Sequence, residues 1–133
     1  MIVKGRSIAK GIGKGKVLLT KDPISFLGGV DPETGEIIDQ ENEAYGKFIS
    51  GKILVFPRGK GSTVGSYVML QLKKNGVAPA GIINLDSETI VAVGAIISEI
   101  PFVDKLERDP YEILKEDMEI LIDGNQGLIS LEA

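Results

Sequence analysis

The sequence predicts a single β-rich α/β domain over residues 1–133, with short strands outnumbering roughly two helices. Three observations carry that expectation. The 133 residues suit one compact domain and leave little room for a second. Short apolar runs rich in Ile, Val and Leu recur between turn residues, the pattern of buried strands. Seventeen glycines recur along the chain and mark many tight turns.

Residues 2–19 read as strand and turn. Glycines at 5, 11, 13 and 15 alternate with small or basic residues, and Val17-Leu18-Leu19 follows. A β-ribbon with close backbone contacts is the expected form. Residues 22–40 form a long irregular stretch. It carries Phe26-Leu27-Gly28-Gly29-Val30-Asp31-Pro32 and then Glu33-Thr34-Gly35-Glu36, whose Asp-Pro and Thr-Gly pairs are turn chemistry. Loops this long inside a compact domain are often functional; a surface hairpin is the alternative. Ile53-Leu54-Val55-Phe56 is a continuous apolar run between Gly51 and Pro57, expected as a central strand. Residues 67–74 place Val68, Met69 and Leu72 on one helical face, and Asn75-Gly76 stops the helix.

Gly81-Ile82-Ile83 marks another strand within residues 80–84. The run Val91-Ala92-Val93-Gly94-Ala95-Ile96-Ile97 fits helix or strand, and its β-branched content favours strand. Pro101 biases Ile100 away from helix, so residues 100–103 are expected to be extended. Asp109-Pro110 has the form of an N-cap followed by proline at the first helical position. Residues 118–122 and 128–131 flank a turn at 123–127 and read as a closing β-hairpin.

A formal net charge of −4 argues against a nucleic-acid partner, whose footprint is a dense basic face. The clusters Lys10–Lys16 and Arg58–Lys60 fit solvated surface. There is no cysteine and no histidine. Disulfides, thiolate or imidazole metal ligands, and Ser-His-Asp or Cys-His catalysis within this chain are excluded. Any chemistry must use hydroxyls, carboxylates, Lys, Arg, Tyr and backbone amides, and any iron or zinc centre would be held mainly by a partner. No leader pattern is visible at the start. The longest apolar run, residues 90–97, is far short of a membrane span. A cytoplasmic protein with no membrane partner is expected.

The chemical centre is Arg58-Gly59-Lys60-Gly61-Ser62-Thr63-Val64-Gly65-Ser66, between an apolar strand and a helix. A helix start offers unpaired N–H groups and partial positive charge. Arg58 and Lys60 add cations, and the loop suits a carboxylate or phosphate. The same field favours the alkoxide of a serine, and Ser62 is the best-placed hydroxyl. The bland reading is that Ser62 or Thr63 caps the helix, worth ~1 kcal/mol, while the glycines serve the turn. The loop fits neither the Walker A pattern nor a dinucleotide fingerprint.

This loop resembles the signature loop of the aconitase-X small subunit, or swivel domain. So do residues 26–35, Gly94-Ala95-Ile96-Ile97 and Ile100-Pro101-Phe102-Val103-Asp104, with order and spacing matching along almost the whole chain. The resemblance implies one swivelling β/β/α domain, as in aconitase. It implies a heterodimer with a large, cysteine-containing subunit that holds an iron–sulfur cluster, of the 4Fe-4S type. The reaction implied is reversible dehydration of (R)-5-phosphomevalonate to trans-anhydromevalonate 5-phosphate, in a modified mevalonate route to isoprenoids. The family's catalytic serine falls on Ser62, as the base that takes a proton from carbon. Arg58, Gly61 and Thr63 are candidates for gripping the substrate's carboxylate or phosphate; Arg58 as a surface charge is the alternative. No metal or cofactor ligand is expected on this chain. The loop at Gly28–Asp31 faces substrate or partner, or Asp31 merely closes the turn at Pro32. Two other functions stay open: dehydration of cis-3-hydroxy-L-proline, and a non-catalytic anion-binding or regulatory module.

Overall fold

The structure, a computed structural model, describes residues 1–131. In chain order its elements are β1 (Ile2–Lys4), β2 (Arg6–Ala9), β3 (Ile12–Leu19), α1 (Phe26–Gly29), β4 (Ile53–Val55), α2 (Gly65–Lys74), β5 (Gly81–Ile83), α3 (Thr89–Ile97), β6 (Phe102–Asp104), α4 (Pro110–Ile113), β7 (Glu119–Asp123) and β8 (Leu128–Leu131). The strands follow one another in the order β1-β8-β7-β3-β4-β5-β6-β2.

Strand β3 divides this sheet into two portions. Its first half, Ile12 to Lys16, pairs antiparallel with β7. Its second half, Val17 to Leu19, pairs parallel with β4. The antiparallel portion is completed by β8 and β1. The parallel portion runs on through β5 and β6, with β2 antiparallel at its edge. Val17, Ile53, Val55, Ile83 and Val103 of the parallel portion form one buried cluster with Val3, Ile120, Ile122, Ile129 and Leu131 of the antiparallel portion. The alternate residues Leu18, Leu54, Phe56, Ile82 and Phe102 form a second cluster with Val68, Met69 and Leu72 of α2 and with Val91 and Ala95 of α3. The two-residue period of the strands thus feeds two cores, and the layers are sheet, sheet, helix. No helix among the described residues is long and apolar enough to cross a membrane.

Two expectations need correction. Residues 91–97 are helical, not a strand. Because β5 and β6 are parallel, their connection must cross over the sheet, which a helix does and a further strand does not. Glu88 starts α3 by accepting the Val91 N–H at 2.8 Å. Residues 2–19 contain strands, but these do not form a ribbon with one another: β1 pairs with β8, β2 with β6, and β3 with β7 and β4. The expected close backbone contacts do occur. Any side chain at Gly13 would run into the Ala80 carbonyl. The Asp109 cap, which accepts the Tyr111 N–H at 2.9 Å, and the closing hairpin stand as expected.

The edge strand β2 and the residue before it are tied to the turn between β7 and β8. Gly5 donates to the Gly127 carbonyl at 2.7 Å, and the Ser7 hydroxyl donates to the Gly124 carbonyl. Arg6 forks onto the buried Asp104 of β6, with Nε and Nη2 donating at 2.9 and 2.7 Å. The Ser87 N–H adds a third donor at 2.8 Å. Burial alone would push the Asp104 carboxyl up, but the Arg6 fork and the Ser87 amide outweigh it and hold it below the ordinary carboxylate value. The stabilisation from this contact is therefore complete above the unfolded-chain value of roughly 3.9 and is lost as pH falls through the lower folded-state value. Asp104→Asn should lower the melting temperature by several degrees at pH 7, and the gap from wild type should shrink in strong acid. Thermal unfolding of both proteins across that range checks it; an equal gap at every pH would sink the assignment.

Candidate active site at the carboxyl end of the parallel strands

The loop at residues 57–64 leaves the carboxyl end of β4, where α/β sheets present their ligands. It is pinned from three sides. Below it, the Pro57 carbonyl accepts the Leu85 and Asp86 N–H groups at 3.0 and 3.3 Å. The buried Asn84 amide donates to the Phe56 carbonyl at 2.9 Å. On one flank, Ile24 forms a parallel bridge with Gly59: Ile24 donates to the Arg58 carbonyl at 3.3 Å and accepts from Lys60 at 3.0 Å. On the other flank, Val91 and the Glu88 carboxylate press on Gly59, where an added Cβ would lie 2.7 Å from Glu88 Oε1.

Gly61 turns the chain outward. Its φ is +95°, a backbone conformation costly for any residue with a Cβ. A Cβ there would also lie 2.5 Å from the Ser25 hydroxyl oxygen. Beyond the turn, Ser62 and Thr63 are exposed. Ser62 Oγ accepts the Val64 N–H at 3.1 Å, and the Ser62 carbonyl accepts the Gly65 N–H at 3.0 Å. The hydroxyl thus closes a short turn ahead of α2 and does not cap the helix itself, whose N-cap position is Val64 with no side-chain bond. Its own O–H donates to nothing among the described residues. The Gly61, Ser62 and Thr63 N–H groups likewise find no acceptor among the described residues. Three consecutive amide donors are therefore without a partner among the described residues on the segment that carries Ser62.

All four sequence candidates, Arg58, Gly61, Ser62 and Thr63, lie on this one exposed loop. The Arg58 guanidinium has no ion-pair partner among the described residues. The Gly28–Asp31 segment divides. Gly28 and Gly29 line a polar cleft of about 440 Å³ beside the loop. Val30 is buried in the helix-side core. Asp31 accepts the Glu33 N–H at 2.9 Å and closes its own turn. The same cleft brings in Ser25, Asp39 and Lys60. Ser25 and Asp39 were not legible as site residues, because their nearness to the loop depends on the bridge between Ile24 and Gly59. The glycine pair at 28 and 29 was the available signal. Among the described residues no group of three or more acidic side chains is placed to hold a metal. Without cysteine or histidine, the chain's donor set does not fit an iron–sulfur cluster.

A sheet–sheet–helix domain that holds out a serine on a glycine-rich strand-to-helix loop, with no cluster ligands of its own, is a module of the swivel type. The chain belongs to the aconitase X swivel domain family, whose model matches residues 2–131. A phosphomevalonate dehydratase small subunit from Methanosarcina mazei is 62% identical over 96% of this chain and 89% of that protein. One from Thermococcus kodakarensis is 53% identical over 98% of this chain and 96% of that protein. The crystal structure of Thermococcus kodakaraensis aconitase X in its holo-form superposes with a TM-score of 0.94 at 51% identity, covering 100% of this chain and 99% of that one. The solution structure of a UPF0107 protein gives 0.89 at 47% identity, with both chains fully covered.

The Gly61 geometry makes a separable claim. Gly61→Ala should cost about 1–2 kcal/mol through its positive φ alone, with a further loss from the Ser25 clash. Adding Ser25→Gly should recover the clash and leave the backbone cost. A denaturation cycle over the two single variants and the double variant measures both parts; additive losses would remove the contact from the account.

Proposed function

We propose that the chain is the small subunit of a hydro-lyase that dehydrates (R)-5-phosphomevalonate to trans-anhydromevalonate 5-phosphate in an isoprenoid route, with Ser62 as its base. The observation that carries this reading is the exposed Ser62 hydroxyl on a loop whose Gly61, Ser62 and Thr63 N–H groups and Arg58 guanidinium have no partner among the described residues. The names of the relatives at 62% and 53% identity support the substrate, and favour it over a hydroxyproline.

Elimination of water from a β-hydroxy acid needs a base at the carbon next to the carboxylate. A neutral serine is too weak a base. The Val64 N–H that donates to its oxygen, in a site closed to water by a partner, favours the alkoxide. Ser62 then takes the carbon-bound proton, the C–H electrons form the double bond, and hydroxide leaves the neighbouring carbon. The loop amides and Arg58 hold the carboxylate on which negative charge builds. The Lewis acid for the departing hydroxyl, an iron–sulfur cluster in the family's chemistry, has no ligands here. It belongs on a large, cysteine-containing partner subunit, and this chain is inactive without that partner.

The test is anaerobic co-expression with the candidate large subunit, followed by assay of phosphomevalonate dehydration. Ser62→Ala should assemble normally and lose about 10²–10⁴-fold in kcat, the usual worth of a positioned base. A variant as active as wild type would reduce Ser62 to a turn residue. A wild-type pair inert toward phosphomevalonate would move the hydroxyproline and anion-binding readings ahead.

A further inference from the structure

The polar cleft beside the Ser62 loop lies between the segment from Ser25 to Gly29 and the segment from Ile38 to Glu41. Its Ser25 packs against Gly61, the residue before Ser62. Lys60 is the one basic residue in its lining. The Lys60 ammonium stands 4.0 Å from an Asp39 carboxylate oxygen, with the lysine side chain 51% exposed. A pair so long and so wet holds weakly, and Asp39 is itself engaged by the Glu41 N–H at 3.0 Å. Lys60 is thus anchored through its backbone to Ile24, while its charge remains available for exchange.

We propose that this cleft receives the phosphate end of the substrate, with Lys60 as the cation that grips it. The proposal rests on the dehydratase reading above. A phosphorylated hydroxy acid carries anions at both ends of its carbon chain. The carboxylate sits next to the carbon that loses its proton, so it must lie at Ser62, among the free amides. The phosphate must then find a second cation a short distance away. Lys60 stands two residues back along the same loop and lines a polar cleft that also contains Ser25, the neighbour of Gly61. Asp39 stands beside the Lys60 ammonium and Glu41 lines the same cleft, so the phosphate has to displace Asp39 from the lysine. On binding, Lys60 trades Asp39 for a dianion, a stronger partner.

The two-subunit enzyme tests this with Lys60→Gln and Lys60→Arg. Lys60→Gln should raise KM for phosphomevalonate about tenfold or more, the worth of one charge-assisted hydrogen bond, with a smaller effect on kcat. Competitive inhibition by inorganic phosphate should weaken in parallel, and Lys60→Arg should restore both. An unchanged KM and unchanged phosphate inhibition in Lys60→Gln overturn the assignment. If the wild-type pair does not act on phosphomevalonate, the dehydratase reading fails separately. The cleft is then judged by titrating the full chain with inorganic phosphate and following backbone amide signals. Shifts at Gly28, Gly29 and Gly61 that vanish in Lys60→Gln keep the phosphate site; no shift in wild type ends it.

Discussion

The split pairing of β3 is the constraint on which the rest depends. One strand joins an antiparallel partner along its first half and a parallel partner along its second. The two portions so joined pack against each other across one buried cluster. That leaves the parallel portion with one face on the other sheet and one face free for helices. Both faces of β4 and β5 are then buried, so their sequences are continuously apolar and not alternating. Everything polar that these strands could offer is forced to their carboxyl ends, where the Ser62 loop begins.

A loop that exposes amide donors would ordinarily be soft. Here the softness is removed by neighbours that are remote in sequence. Ile24 pairs with the loop backbone, Asn84 fixes its root, and Glu88 and Val91 close on Gly59. Ile24 takes up the Arg58 carbonyl and the Lys60 N–H, while the N–H groups of Gly61 to Thr63 find no acceptor among the described residues. The root of the loop is thus fixed by contacts from three separate segments of the chain.

How much of this was legible in the sequence follows from the range of the interactions. The β4–loop–α2 unit is local: an apolar run, glycines, then a helical face on Val68, Met69 and Leu72, and it reads directly. The closing hairpin and the Asp109 cap are local too. Residues 91–97 defeat a local reading, because their aliphatic composition fits either structure and the parallel order of β5 and β6 decides it. The pairing of β1 and β2 is likewise set by strands about a hundred residues away. The exposed place of Ser62 on a strand-to-helix loop was legible from the apolar run before it and Gly61 beside it. The cleft was not, since Ser25 and Asp39 meet Lys60 only after residues 22–48 have folded back over the sheet.

The three-sided pinning of Gly59 also has a consequence for biosynthesis. The ribosome releases residues 57–64 before Glu88 and Val91 exist to brace them, and α3 must form before the loop takes its shape. A nascent or partly unfolded chain therefore carries the serine without its amide cradle. The shape of this loop is therefore a property of the finished chain, and a truncated copy ending before α3 would lack it.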